Sequence, residues 1–283
     1  MRTRQVTYRP LILTKRQLVA EPPAGEVLEG DVLLLAGRRV VGMQLRLGDR
    51  AAAWPALRAA LDGLATWDGP SKLPQPGGVG GAARLSGIQS RNRTFGWLPP
   101  QPLRRRYGAM AASLDLEQPA LAEMLHDLGG TAWAATETHL GQAAQVHLKE
   151  IRQIPPCWHY GGPWTSGVIN RNSALPYHRD AGNLLGCISA MVALRSGVEG
   201  GALHLAEYDT WLAVPDRSLI VFSGSSITHG VSPLEVNPGG RRYTLVWYVR
   251  ARFRDCADTI AGELARSQLV ATSHDEVPDG GPA

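Results

Sequence analysis

The sequence predicts an α+β chain, and three observations carry that expectation. Residues 6–50 are β-rich and turn-punctuated, residues 109–150 show helical apolar spacing, and residues 165–250 return to short apolar strands. Strands and helices are therefore segregated along the chain instead of alternating, the arrangement of α+β proteins. A chain of 283 residues with 44% apolar content can form one large domain or two small ones with a sizeable core. No apolar run approaches the ~20 residues that span a bilayer. The start Met1-Arg2-Thr3-Arg4-Gln5 has no signal-like apolar region. Cys157, Cys187 and Cys256 are scattered without a CxxC pair, which fits reduced thiols in a cytoplasmic protein and no zinc site. The net charge of +4 permits nucleic-acid binding without demanding it.

The elements follow in order. Val27–Leu35 and Arg39–Leu45 read as a hairpin across Ala36-Gly37-Arg38. Trp54, Leu57, Leu61 and Leu64 fall on one helical face, and Pro55 suits a helix start. Gly77-Gly78-Val79-Gly80-Gly81 lacks the lysine-serine ending of a phosphate loop and reads as a surface loop. Leu121, Met124, Leu125 and Leu128 mark a helix ending before Gly129-Gly130. Trp133, Thr136, Leu140 and Ala144 mark another, with His139 and His147 on its surface or packing seam. Ile154–Trp164 is loop-like and aromatic, and is equally a pocket wall or a packed connection. Cys187–Leu194, Thr210–Val214 and Ser218–Phe222 read as strands. Beyond Arg250, Ala257–Arg266 reads as a helix and Ser273–Ala283 as a disordered tail.

The chemistry concentrates at Leu175-Pro176-Tyr177-His178-Arg179-Asp180-Ala181-Gly182-Asn183. Side chains two apart on a strand share a side, so His178 and Asp180 present an imidazole and a carboxylate together. These are two of the three ligands in the 2-His-1-carboxylate face that holds non-haem Fe(II). The third should be a remote histidine followed by a cation. Ser226-Ile227-Thr228-His229-Gly230-Val231 supplies the histidine, and Arg241-Arg242 heads the apolar strand Tyr243–Tyr248. An isolated HxD is a weak signal; what lifts this one is order and context. Gly200-Gly201-Ala202-Leu203-His204-Leu205 opens a strand between the ligands. His204 itself lies too soon after Asp180, within that strand, and is read as structural.

At these residues the chain resembles the Fe(II)/2-oxoglutarate-dependent dioxygenases over about residues 165–250. The resemblance implies a double-stranded β-helix (jelly-roll, cupin-like) core with buttressing helices. It implies Fe(II) held by His178, Asp180 and His229, with 2-oxoglutarate and O2 as co-substrates. It also implies an arginine on the last strand for the distal carboxylate of 2-oxoglutarate, with a hydroxyl two positions later. Arg242 and Thr244 fit. Strand alternation puts Arg242 with Thr244, Val246 and Tyr248, and Arg241 with Tyr243, Leu245 and Trp247. Arg241 is the alternative, since a bulge near Gly239-Gly240 would exchange the faces.

Ser90–Pro100 and Pro102–Tyr107 interleave arginines with Phe95, Trp97 and Tyr107, which suits phosphates and stacked bases. The bland reading is a solvated basic loop over buried aromatics. An R-T-F-G segment at Arg93–Gly96, then His178-Arg179-Asp180-Ala181-Gly182-Asn183, then the GGxLxL strand is similar to the TET/JBP branch. That resemblance implies oxidation of the 5-methyl group of cytosine or thymine in DNA, with bacterial or phage relatives. Arg93, Phe95, Trp97, Arg179 and Asn183 become the candidate substrate contacts. The expected organisation is a β-rich extension at 1–50, a dioxygenase domain at 51–254, and a helix and tail at 255–283. DNA is the expected partner, with no membrane and no obligate protein partner, in the cytoplasm (of a host, if phage-encoded). The alternatives are the same chemistry on a small molecule or protein side chain, and a non-catalytic nucleic-acid-binding protein.

Overall fold

A computed structural model of the chain describes residues 1–10, 17–65, 91–100 and 109–255. Its strands are β1 (Arg2–Gln5), β2 (Val27–Leu28), β3 (Val32–Ala36), β4 (Arg39–Arg46), β5 (Arg91–Leu98), β6 (Met110–Ala111) and β7 (Ser166–Arg171). They continue as β8 (Ser189–Gly200), β9 (Leu203–Leu205), β10 (Thr210–Leu212), β11 (Ser218–Phe222), β12 (His229–Val231) and β13 (Leu234–Tyr248). The helices are α1 (Trp54–Asp62), α2 (Ser113–Glu117), α3 (Pro119–His139) and α4 (Gly141–Ile151). Among the described residues, one nine-stranded sheet runs β1-β3-β4-β11-β8-β13-β7-β5-β6 and a four-stranded sheet runs β12-β9-β10-β2.

Strand alternation builds two cores from one sheet. On β11, Leu219 and Val221 join the helices' core, while Ile220 and Phe222 face the smaller sheet. Leu203, Leu205 and Leu212 of the smaller sheet meet them, together with Leu34 and Ala193. On the opposite side, Leu57 and Leu61 of α1 and Leu121, Leu125 and Leu128 of α3 pack on Val192, Tyr243, Leu245 and Trp247. Each fully buried Leu contributes roughly 1.5–3 kcal/mol. The result is an α+β fold with a double-stranded β-helix core, its larger sheet buttressed by helices.

The N-terminal strands are built into these sheets. β3 and β4 form the expected hairpin around Gly37 (φ 62), and β4 pairs with β11. Val27–Leu28 is not part of that hairpin. The chain turns at Gly30 (φ 72), and β2 crosses to pair with β10. Buried Gln44 fastens the crossing: its Nε2 donates to the carbonyls of Leu28 (3.3 Å) and Gly30 (2.9 Å), and its Oε1 accepts from Val214 N–H (2.9 Å).

The expected helix break at Gly129-Gly130 is absent. α3 runs unbroken to His139, because Leu121, Leu125, Leu128, Ala132 and Thr136 keep one buried stripe through the glycines. The glycines answer to packing. A Cβ on Gly129 would lie 2.8 Å from Trp247 Nε1, and one on Gly130 would lie 2.8 Å from the Gly161 carbonyl. An interior Gly→Ala ordinarily stabilises a helix by about 0.5–1 kcal/mol. Gly129→Ala is expected to do the reverse, costing about 1–3 kcal/mol through overpacking against a fully buried indole. Denaturant melts of the variant and the parent protein check the sign.

His147 lies in the packing seam. Its Nε2 donates to the Pro163 carbonyl at 2.8 Å and its Nδ1 accepts from Ile188 N–H at 3.3 Å. That pairing defines one neutral tautomer, and burial lowers its pKa to about 4. Ile154–Trp164 is a packed connection. Trp164 is fully buried, Trp158 stacks edge-on with Trp97, and Tyr160 donates to the Ala122 carbonyl. Gly77–Gly81, Arg104–Tyr107, Cys256, Ala257–Arg266 and Ser273–Ala283 lie outside the described residues. No described helix is long and apolar enough to cross a membrane.

Candidate metal centre

His178 and His229 are joined by a two-way backbone bridge, each N–H donating to the other's carbonyl at 2.9 Å. The bridge sets the two imidazole centroids 4.3 Å apart. Asp180 lies past the bridge and is held by its own N–H donating to the Gly224 carbonyl at 2.9 Å. One ligand atom from each of His178, Asp180 and His229 falls within 4.8 Å of the other two.

The hydrogen bonds assign the free atoms. Nδ1 of His178 faces the Pro176 carbonyl at 2.8 Å, and Nδ1 of His229 faces the Ile227 carbonyl at 2.9 Å. A carbonyl only accepts, so each Nδ1 carries a proton and each neutral ring turns its Nε2 lone pair inward. Those Nε2 atoms lie 3.5 and 3.8 Å from Asp180 Oδ1. Three lone-pair donors converging at that range call for a cation between them. Burial acts to raise the Asp180 pKa. A second proton on His178 or His229, which would bring a hydrogen bond from His178 and a charge from either ring, acts with Arg250 to outweigh it, so the carboxyl is held below its ordinary value. Burial and neighbouring His178 push His229 down to about 4, which keeps it neutral and available as a ligand.

Two neighbours shape this corner. Asn183 Nδ2 donates to Asp180 Oδ2 at 3.2 Å, fixing the carboxylate's rotation. Gly224 leaves room for it, because a Cβ there would meet Asp180 Oδ2 at 2.2 Å.

A cavity of about 450 Å³ opens beside the three ligands and extends to Arg242. That size suits a small-molecule site. Arg242 is 1% exposed, and among the described residues no carboxylate pairs with it. Its Nη1 and Nη2 donate to the carbonyls of Ser173 (3.2 Å) and Gly201 (3.4 Å), while its Nε has no partner. Burial, with Arg195 nearby, lowers its pKa to about 9. An uncompensated buried guanidinium on a cavity wall is a receptor for an anion. Asn172, in the left-handed region at φ 49, accepts from Arg242 N–H and pins this part of β13.

The bulge feared at Gly239-Gly240 is present: the β8–β13 register shifts between Val236 and Arg241. Even so, Arg242, Thr244, Val246 and Tyr248 share the cavity face. Arg241 turns toward α1, its Nε 3.4 Å from Asp62 Oδ1. Thr244 Oγ1 accepts from Asn170 Nδ2 at 3.3 Å.

With this geometry in view, the solved structures similar to this chain include NgTET1 in complex with 5mC DNA, TM-score 0.58 at 11% identity, covering 89% of this chain and 90% of that one. This chain shares the NgTET1 fold. OsALKBH1 (TM-score 0.41, 13% identity, 76% of this chain and 100% of that one) and a Pseudomonas putida prolyl-4-hydroxylase (0.37, 15%, 74% and 92%) are more distant matches and add nothing to that assignment. No family model matches the chain, and no curated protein matches it at significance.

The candidate substrate contacts divide. Arg179 and Asn183 line the cavity. Arg93, Phe95 and Trp97 do not, and the expected platform is corrected here. Phe95 is fully buried between Tyr160 and Trp247, Arg93 is 4% exposed and pairs with Glu117 at 2.7 Å, and Trp97 packs on Trp158. On β5 these odd positions face the helices, and the even ones, Asn92 and Thr94, face the cavity. Asn92 pairs across the ladder with Asn170, and Asn170 with Thr244, so three strands present one polar row. The signal was present in the alternation Asn92-Arg93-Thr94-Phe95, but the face could be chosen only once the helices were placed. His204 lies outside the cavity: Nδ1 bonds Tyr177 Oη at 2.6 Å and the ring stacks on Trp211 at 4.0 Å.

Proposed function

We propose that this chain is an Fe(II)- and 2-oxoglutarate-dependent dioxygenase that hydroxylates the 5-methyl group of a pyrimidine, 5-methylcytosine or thymine, in DNA. The observation that carries the reading is one cavity lined both by three converging ligand atoms and by the buried guanidinium of Arg242, which has no carboxylate partner among the described residues. His178, Asp180 and His229 would hold Fe(II), leaving open positions for 2-oxoglutarate and O2. Bound there, the iron would let O2 be split between two substrates, one oxygen atom entering 2-oxoglutarate as it loses CO2 to become succinate and the other converting a substrate C–H to C–OH.

The chain's own residues supply the rest. Arg242 would take the distal carboxylate of 2-oxoglutarate, the Ser173 and Gly201 carbonyls holding its fork in place. Thr244 stands beside it on the same face. Asn183 keeps Asp180 turned to the metal. Asn92, Thr94 and Asn170 supply hydrogen-bonding groups on the cavity wall, and Arg179 and Arg250 supply cations at the cavity, both suited to a polar heterocycle within a polyanion. The NgTET1 fold supports the DNA reading.

The test adds Fe(II) and 2-oxoglutarate anaerobically, admits air, and offers oligonucleotides with 5-methylcytosine or thymine, read by nucleoside mass spectrometry. The expected result is one added oxygen on a 5-methyl base, matched by succinate. Succinate with unmodified bases would move the substrate to a small molecule or protein side chain. No iron uptake and no succinate would leave a nucleic-acid-binding protein.

A further inference from the structure

Behind the two ligand-bearing segments lies a buried carboxylate that touches neither the cavity nor the ligand atoms. Glu207 sits in the 3-10 turn Ala206–Tyr208 between β9 and β10, with its side chain 3% exposed. Its Oε1 accepts from Arg179 Nη2 at 2.7 Å and from Thr228 Oγ1 at 2.6 Å, and its Oε2 accepts from Thr228 N–H at 2.8 Å. Arg179 Nε donates to Thr228 Oγ1 at 3.1 Å, so all three residues are joined in a closed triangle.

The positions of its corners give the triangle its meaning. Arg179 is the residue between His178 and Asp180, and Thr228 immediately precedes His229. The ligand segments come from distant parts of the chain and otherwise meet through backbone hydrogen bonds: the His178–His229 bridge, Asp180 N–H to the Gly224 carbonyl and Val231 N–H to the Leu175 carbonyl. The turn is itself fastened to the second segment, Ala206 N–H donating to the Thr228 carbonyl at 2.9 Å. A buried carboxylate ordinarily costs several kcal/mol unless its oxygens are filled by donors, as they are here. Beyond its own backbone N–H, its donors among the described residues come from those two segments.

We infer that Glu207 is a positioning residue for the metal centre, clamping the His178–Asp180 and His229 segments at the separation that three-ligand coordination requires. The inference rests on the metal-centre reading above and extends it to a residue outside the cavity. Partners that orient metal ligands from behind typically contribute about 10–100-fold in metal affinity. Glu207 orients the backbone on which the ligands ride, so its removal loosens their spacing.

The test is Co(II) titration of the full chain under anaerobic conditions, followed by visible absorption, with melting of the metal-free protein in parallel. Glu207→Gln turns an N–H toward the Thr228 amide, breaking one side of the triangle. It is expected to raise the Co(II) Kd at least about 10-fold and change the visible band, in a metal-free protein that still folds but melts lower because a buried donor loses its acceptor. Thr228→Val removes the hydroxyl corner and should weaken Co(II) binding too, whereas Thr228→Ser should restore it. Should Glu207→Gln not fold, the Thr228 pair carries the same test. Parental Co(II) affinity and spectrum in folded Glu207→Gln or Thr228→Val would overturn the clamp alone. So would weakened binding that Thr228→Ser fails to restore. No Co(II) binding by the parent protein would instead remove the metal centre on which the clamp rests.

Discussion

Gly224→Ala, a change of one methyl group, is expected to lower Fe(II) affinity and turnover about as much as removing Asp180 itself. A Cβ at this position would stand 2.2 Å from Asp180 Oδ2, and the residue's backbone cannot retreat while its carbonyl accepts from Asp180 N–H. The carboxylate must rotate away, which also breaks its contact with Asn183. Asp180→Ala removes the ligand outright. Since losing only an outer partner costs about 10–100-fold, losing a ligand should exceed about 100-fold in metal affinity. Both variants should fold, because neither removes an apolar side chain from the two cores. Metal titration with succinate release checks both, and parental iron binding in folded Asp180→Ala would sink the site assignment.

Arg242→Met should show two effects of opposite kind. The 2-oxoglutarate requirement should rise by about 30-fold or more, since truncating one partner of a buried charge-assisted pair costs about 2–5 kcal/mol. The cofactor-free protein should melt higher, because a buried guanidinium with no carboxylate partner and no Nε partner among the described residues is a burden on folding. Arg241→Ala should do neither. Its contact with Asp62 is between half-exposed side chains, and such pairs contribute about 0–1 kcal/mol. Steady-state kinetics against 2-oxoglutarate and thermal melts of the three proteins decide this. A raised requirement in Arg241→Ala with none in Arg242→Met would reverse the assignment of the two arginines.

How much was legible beforehand differs by element. Ser218–Phe222 reads as a strand and is one, because a continuous apolar run bounded by turns has few other uses. The α3 break was misplaced, because glycine reads as a terminus when the helix is seen alone. What the sequence does not print is that Trp247 and Gly161 press against α3 at those two positions. The Arg93–Trp97 segment shows the same limit from the other side. Its basic and aromatic content was plain, but a β-strand has two faces, and composition does not say which one the helices will cover.

The sequence alone determined the kinds of group available: an HxD pair, a remote histidine, and arginine alternating with threonine on the last strand. These are local facts, since period-2 geometry decides which neighbours share a side. Only the tertiary structure decided which groups meet. The bridge between His178 and His229, the space at Gly224, the polar row Asn92–Asn170–Thr244 and the Glu207 triangle all join residues far apart in the chain. Their spacing is set by sheet register and by the packing of two cores, and neither can be read from any one segment.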